Sequence, residues 1–305
     1  MLDLAVMIEG QDGLTWPRWQ RLAEAAEALG FAGLYRSDHF TNPNGPRTDA
    51  LDLWASLAWL ASHTHRIEFG PLVSPLSFRH PVPTAWTAAA LNDLSNGRLR
   101  LGLGAGWQER EHRSFGFDLL GTDERFLRFA EGLEVVRALL RSDEPTTLHG
   151  AFFRLDDALL LPRPQRPGGP PIVIGGNGER RTLPLVARFA DEWNGVFLTA
   201  ERYRELNARL DALLDDAGRP RESVRRTLMT RVVLGHSEAE IHQKLGPTTP
   251  ADARDRGLLV GAPVDLIEQM RELVAAGVQR VMLQWLDQDD LPGLETLARD
   301  VLPHL

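Results

Sequence analysis

The sequence predicts an α/β fold closed as a (β/α)8 barrel, and three observations carry that expectation. Short apolar runs alternate with amphipathic stretches from one end of the chain to the other. Repeated strand–helix units imply a parallel sheet with right-handed crossovers, and eight of them favour a closed barrel over an open sheet. The 305 residues suit one such domain, since these barrels run to about 250 residues and more with insertions. Finally, polar and glycine residues gather after successive strands, at the end where barrel enzymes place their chemistry.

The elements are read in order. Leu2–Ile8 is a first strand, and Trp16–Leu29 follows with apolar residues at helical spacing, ending at Gly30, a natural C-cap. Gly33–Ser37 is the second strand and Leu51–Ser62 the second helix. Arg66–Val73 is the third strand; Pro81–Leu94 is the third helix, with proline at its start where a missing N–H costs least. Leu99–Leu103 and Glu124–Leu140 form the fourth pair. The stretch Asp143–Pro170, rich in proline and glycine with a strand-like piece at Ala151–Leu155, reads as an insertion, and the sequence leaves open whether it covers the mouth as a lid.

The rhythm resumes with strand Ile172–Ile174, helix Glu179–Phe189, strand Glu192–Val196 and helix Ala200–Ala217. Arg225–Leu234 is a seventh strand, Ser237–Pro263 is irregular or weakly helical, and Val264–Ala276, Val278–Gln284 and Leu291–Leu302 complete the chain as one domain, 1–305. A doubly wound sheet is the rival. Gly102-Leu-Gly104-Ala-Gly106 faintly resembles a nucleotide fingerprint, but Trp107 follows where the spacing does not yield a third glycine.

Composition narrows the function. Hydrophobic residues are 43% and charged residues 25%, ordinary for a globular protein. Cysteine is absent, which removes disulfides, thiol nucleophiles and Cys-ligated metals together. The net charge is −8 with Lys and Arg scattered, so no nucleic-acid partner is expected. No apolar run approaches the roughly 18 residues of a membrane span, and Met1–Ile8 lacks the form of a signal peptide, so a cytoplasmic location is expected. No His-Glu-x-x-His or similar spacing occurs, so no metal is expected.

The candidate site is collected from the strand ends: Ser37-Asp38-His39-Phe40, Leu72-Val73-Ser74-Pro75, Phe78-Arg79-His80-Pro81, Gly104-Ala-Gly106-Trp107 and Gly175-Gly176-Asn177-Gly178. The last joins a buried strand to a helix. It reads as a phosphate cradle, in which glycines let backbone N–H groups approach an anion at a helix N-terminus, or as a turn that needs positive φ. His39 is an acid/base candidate, because its ordinary pKa near 6.5 lets it take a proton at neutral pH; equally, Asp38 caps a turn and His39 is a wall residue. Trp107 follows a glycine pair and either lines the pocket or packs. His112 lies near the mouth or on a helix surface, and the run Glu109, Arg110, Glu111, Arg113 reads as a solvated helix start with local ion pairs.

These strand-end segments, with Arg66-Ile-Glu-Phe-Gly70, Leu94-Ser-Asn-Gly-Arg98, Leu101–His112, Pro171–Gly176 and Ala190-Asp-Glu-Trp-Asn194, resemble the luciferase-like monooxygenase superfamily, and within it the oxidoreductases that use the deazaflavin coenzyme F420. The resemblance runs from the first strand to about Val196. It implies a bacterial-luciferase-like barrel and hydride transfer between the deazaflavin C5 and a small organic substrate, with His39 moving the proton. It places Asp38, Gly104, Gly106 and Trp107 in the cofactor pocket. Leu72 and Val73 fall at the family's strand-three bulge with its non-proline cis peptide, and Gly175, Gly176, Asn177 and Gly178 at the phosphate site. Pro71 departs from the small polar residue expected before the bulge. Trp107 stands where the superfamily's glucose-6-phosphate dehydrogenases carry a glutamate, which favours a bulkier apolar substrate over a sugar phosphate. The resemblance also implies a homodimer. An FMN-dependent monooxygenase served by a partner reductase, and a non-catalytic deazaflavin-binding protein, are the alternatives.

Overall fold

The computed structural model describes residues 2–305. Its elements are β1 (Asp3–Ile8), α1 (Trp16–Ala28), β2 (Gly33–Arg36), α2 (Leu53–His63), β3 (Glu68–Pro71), β4 (Ser74–Pro75), α3 (Pro81–Leu94), β5 (Leu101–Gly104), α4 (Glu109–Phe115) and α5 (Thr122–Arg141). There follow β6 (Thr146–His149), β7 (Arg154–Ala158), β8 (Ile172–Gly175), α6 (Thr182–Phe189), β9 (Glu192–Val196), α7 (Ala200–Asp216) and β10 (Arg225–Leu234). The chain ends through α8 (Glu238–Leu245), α9 (Pro250–Asp255), β11 (Leu259–Gly261), α10 (Pro263–Ala275), β12 (Arg280–Gln284) and α11 (Leu291–Asp300).

The main sheet runs β3-β2-β1-β12-β10-β9-β8-β5-β4, all neighbours parallel. It closes where Phe69 of β3 bridges Leu99, its carbonyl accepting from Arg100 N at 2.8 Å. The seam is tight. A Cβ on Gly70 would lie 1.9 Å from the Arg100 carbonyl oxygen, and one on Gly102 would lie 2.0 Å from that of Pro71. Only glycine lets the two backbones pass so closely.

Three expectations need correction. The third strand is not continuous over Arg66–Val73: it breaks at a cis Leu72–Val73 peptide and resumes as β4, which lies against β5 rather than β2. Ser237–Pro263 is ordered as α8, α9 and β11, with Ser237 and Thr249 capping the helices. The helix after the glycine turn begins at Thr182, not Glu179. The insertion, an open question in the sequence, carries the β6–β7 hairpin, which is tied to α5. Glu131 of α5 accepts hydrogen bonds from Ala151, Phe152 and Phe153 N at 2.9, 2.9 and 2.6 Å. No residue of 143–170 lines the mouth cavity.

The helices ring the sheet because each presents one apolar stripe. On α7 the buried set is Tyr203, Leu206, Leu210 and Leu214, at helical spacing. Each such leucine contributes about 1.5–3 kcal/mol by leaving water. Inside the barrel a second apolar cluster, with Met7, Tyr35, Leu72, Val173, Met229 and Met282, fills the space beneath the mouth.

The opposite end is ionic. Asp3, Glu68, Glu192, Arg225 and Arg280 are the first residues of β1, β3, β9, β10 and β12, and Arg100 precedes β5. Arg280 Nη1 reaches Glu68 at 2.6 Å and Tyr35 Oη at 2.7 Å, while Arg225 pairs with Asp3 and Arg100 with Glu68. Burial alone would raise the Glu68 pKa, but Arg100 and Arg280 outweigh it and bring it down to about 2. Glu192 is pushed the other way: burial raises its pKa more than Arg280, Arg100 and Arg225 lower it.

Candidate active site

A cavity of about 400 Å³ opens at the C-terminal end of the strands. Of the residues singled out from the sequence, His39, Leu72, Val73, Gly106, Trp107, Gly175 and Gly176 line it. Asp38, Gly104, Asn177 and Gly178 do not. Ser37 and Pro75 of the collected strand-end segments line it too, and the structure adds Glu9, Glu111, Asn194, Val196, Phe197, Met229 and Gln284.

Asp38 is turned away from the cavity into a packed ion pair. Its carboxylate accepts from Arg79 Nε at 3.0 Å and Nη2 at 2.8 Å, and from Ser74 Oγ at 2.7 Å. Arg79 in turn lies over the rings of Phe40 and Phe78, at 5.3 and 5.6 Å. This assembly fixes the backbone on which His39 stands. Gly104 acts from behind the wall, because a Cβ there would sit 2.6 Å from Val73 Cγ2.

His39 follows β2 and meets α4. Its Nδ1 is 2.9 Å from Glu111 Oε1, while Glu111 Oε2 accepts from Phe40 N at 3.0 Å. Glu111 is 1% exposed, so the expectation of a solvated charge is wrong for this residue. The reason is geometric: Gln108 caps α4 by accepting from Glu111 N, and the helix starts directly over the β2 loop. Gln108 Nε2 donates to Thr41 O at 2.7 Å and ties the two segments. His112 is likewise buried, bonded to Gln108 O and Ser77 Oγ. Burial lowers the His39 pKa, but Glu111, with Glu9 and Asp38 further off, outweighs it and the net shift is upward.

The turn after β8 serves two purposes. Asn177 forms a reciprocal pair with Val196, donating Nδ2 to its carbonyl at 2.7 Å and accepting its N–H at 2.9 Å. That locks the β8 and β9 loops together. The backbone N–H groups of Asn177 through Arg181 have no acceptor among the described residues, while Thr182 and Leu183 N–H both donate to Gly178 O. An exposed run of free donors beside a cavity can take an anion such as a phosphate group.

Part of the cavity lining is apolar, with Leu72, Val73, Val196 and Met229. The polar part includes His39 and Glu9, whose carboxylate is held by Gln11 Nε2 at 2.9 Å and Gln284 Nε2 at 2.6 Å. Trp107, 59% exposed, stands edge-on to the His39 ring at 5.6 Å and marks the entrance with Phe197. Glu9 directly follows the first strand, so the rule used for the other strand ends points to it as well. No sequence signal marks the burial of Glu111. Among the described residues no group of acidic or histidine side chains is arranged to hold a metal, and no helix is long and apolar enough to cross a membrane.

A family model for luciferase-like monooxygenases matches residues 5–252. The chain is 27% identical to an F420-dependent glucose-6-phosphate dehydrogenase of Intrasporangium calvum, over 92% of both proteins. It is 29% identical to a 4-hydroxyprotoasukamycin monooxygenase of Streptomyces nodosus subsp. asukaensis, over 97% of this chain and 88% of that one. Among solved structures, an F420-dependent secondary alcohol dehydrogenase superposes with a TM-score of 0.85 at 16% identity, over 99% of this chain and 98% of that one.

Proposed function

Because the chain belongs to the luciferase-like monooxygenase family, we propose that it is an F420-dependent oxidoreductase acting on a small, largely apolar organic substrate. The observation that carries this reading is the placement of His39 beside an apolar wall in a cavity with free backbone donors at one edge. These features fit a flat deazaflavin with a phosphate-bearing tail. Leu72 and Val73 would back the ring, and the N–H groups from Asn177 to Arg181 would meet the phosphate. When bound, F420 supplies a carbon that accepts or returns a hydride.

The chain's own residues do the rest. In the alcohol-oxidising direction the substrate C–H leaves as hydride, its hydroxyl proton passes to His39, and a C=O bond forms. His39 Nε2 has no partner among the described residues and is the nitrogen free to take that proton. Trp107 and Phe197 narrow the entrance and exclude water from the developing charge. With Glu9 on the polar side and no unpaired cation in the lining, the cavity favours neutral hydroxyl or amine substrates over anionic ones.

An FMN-dependent monooxygenase is the second reading, favoured by 27% identity, over 72% of this chain, to an FMNH(2)-dependent dimethylsulfone monooxygenase. Paired titrations separate the two, with F420 against FMN monitored by quenching of tryptophan fluorescence. Tight F420 and weak FMN binding is expected. The reverse order overturns the F420 reading in favour of oxygen activation with a partner reductase.

A further inference from the structure

We propose that Glu111 is the positioning residue for His39, fixing which ring nitrogen carries the proton and aiming the other into the cavity. The inference rests on the acid/base reading of His39 given above. The two oxygens of Glu111 divide their work: Oε1 faces His39 Nδ1 at 2.9 Å and Oε2 takes the N–H of Phe40 at 3.0 Å. One buried carboxylate therefore grips both the ring and the next peptide.

The proton on Nδ1 follows from the partners. Glu111 Oε2 already accepts the N–H of Phe40, and as a carboxylate its other oxygen also only accepts, so Nδ1 is the donor of the 2.9 Å contact. Gln108 Nε2 is also near Nδ1, but at 3.4 Å, and it already donates to Thr41 O at 2.7 Å. Its contact to Nδ1 is half an ångström longer than that of Glu111 Oε1, at 2.9 Å, so the carboxylate is the nearer partner of the ring nitrogen. With Nδ1–H fixed, neutral His39 presents a lone pair at Nε2, and protonation makes it an imidazolium paired with Glu111. A third group that orients a base in this way acts through tautomer and orientation, without touching the substrate.

The other charged groups around the ring are Glu9 and Asp12 after β1, and Asp38 beside it, itself neutralised by Arg79. Glu111 alone is in direct contact. Its replacement by glutamine exposes the logic. Glutamine has one acceptor atom for two donors, and its NH2 would face either Phe40 N–H or His39 Nδ1–H. If its oxygen keeps Phe40 N–H, its NH2 turns to Nδ1, and His39 moves its proton to Nε2 to accept there.

The test is 15N-edited NMR of the imidazole ring in the cofactor-free protein, wild type and E111Q, with pH titration. Wild-type His39 is expected as the Nδ1–H tautomer; E111Q is expected to move to Nε2–H and to titrate at lower pH. Turnover of E111Q should fall by roughly 10²–10⁴-fold in kcat with KM little changed, and its pH profile should shift toward acid. E111D, which keeps the charge, should restore part of the wild-type titration. An Nε2–H tautomer in the wild type overturns the proposal with no variant needed, as does an unchanged His39 titration in folded E111Q. If instead the tautomer shifts as expected but His39→Gln turns over normally, the acid/base reading fails while the positioning role stands.

Discussion

Arg79 and Asp38 are joined by two parallel hydrogen bonds, 3.0 and 2.8 Å long, with Asp38 3% exposed and the guanidinium over two phenylalanine rings. The geometry is the fork-to-fork pairing that arginine makes and lysine cannot. The pair underlies the active-site loop, since the next residue is His39.

Arg79→Ala should therefore destabilise the protein by about 3–5 kcal/mol, because it leaves a buried carboxylate without its counter-charge. Arg79→Lys should lose less. Urea unfolding of the three proteins gives the ranking; a loss under about 1 kcal/mol for the alanine variant would mean that the pair behaves like an exposed one.

His39 carries a raised pKa, so two pH effects have defined signs. In the oxidising direction the base must be neutral, and the rate should climb with pH through the raised value and then level off. Stability runs the opposite way. A histidine whose folded pKa lies above its unfolded value of about 6.5 contributes its full stabilisation below that value and loses it as pH rises through the folded one. The melting temperature of the wild type relative to His39→Gln should hence be most favourable in acid and fade in alkali, as differential scanning calorimetry can follow. A rate that falls across the same range would remove His39 as the base.

Glu192 presents the reverse case. Burial pushes its carboxyl pKa upward in the folded state, so the folded form is penalised once pH passes the unfolded value near 4.3. Glu192→Gln should stabilise the protein at neutral pH, and the gain should vanish below about pH 4. Thermal melts at the two pH values decide it, and a loss of stability at neutral pH would show that the ionised carboxylate is needed by the surrounding arginines.

Trp107→Ala should widen the entrance beside His39. Expected are faster turnover of branched or cyclic substrates and a higher KM for small ones, with the melting temperature nearly unchanged because the ring is 59% exposed. Steady-state kinetics over a size series of alcohols checks this; an unchanged ranking would place the ring outside the substrate's path.

Much of the barrel is legible because its elements are long and strongly periodic. The third helix is found as read, Pro81–Leu94, since its proline start and apolar face are local properties. β10 and β9 are likewise found as read, at Arg225–Leu234 and Glu192–Val196. What local pattern does not reveal is how loops meet. Glu111 looks like any charge on a short helix until α4 is seen to begin over the β2 loop. Asp38 looks like a pocket residue until Arg79 is found to claim it. The glycine turn shows a mixed outcome: Gly175 and Gly176 reach the cavity, while Asn177 braces the neighbouring loop. In each case the missing information is a partner 19 to 72 residues away along the chain.

The charged ring at the base of the barrel has a consequence for how the sheet finds its alignment. Asp3 lies opposite Arg280 across β1 and β12, and Arg225 opposite Glu192 across β10 and β9. Parallel apolar strands built of similar residues are poor at telling one alignment from the next. Sliding any of these strands by one residue would turn its leading charge to the other side of the sheet and separate it from its mate. The ring thus works as an indexing code, one letter at the start of each of several staves, and the apolar runs above it need not be distinctive. Freed from that task, the opposite rim can change its loops and entrance residues while the staves below stay in step.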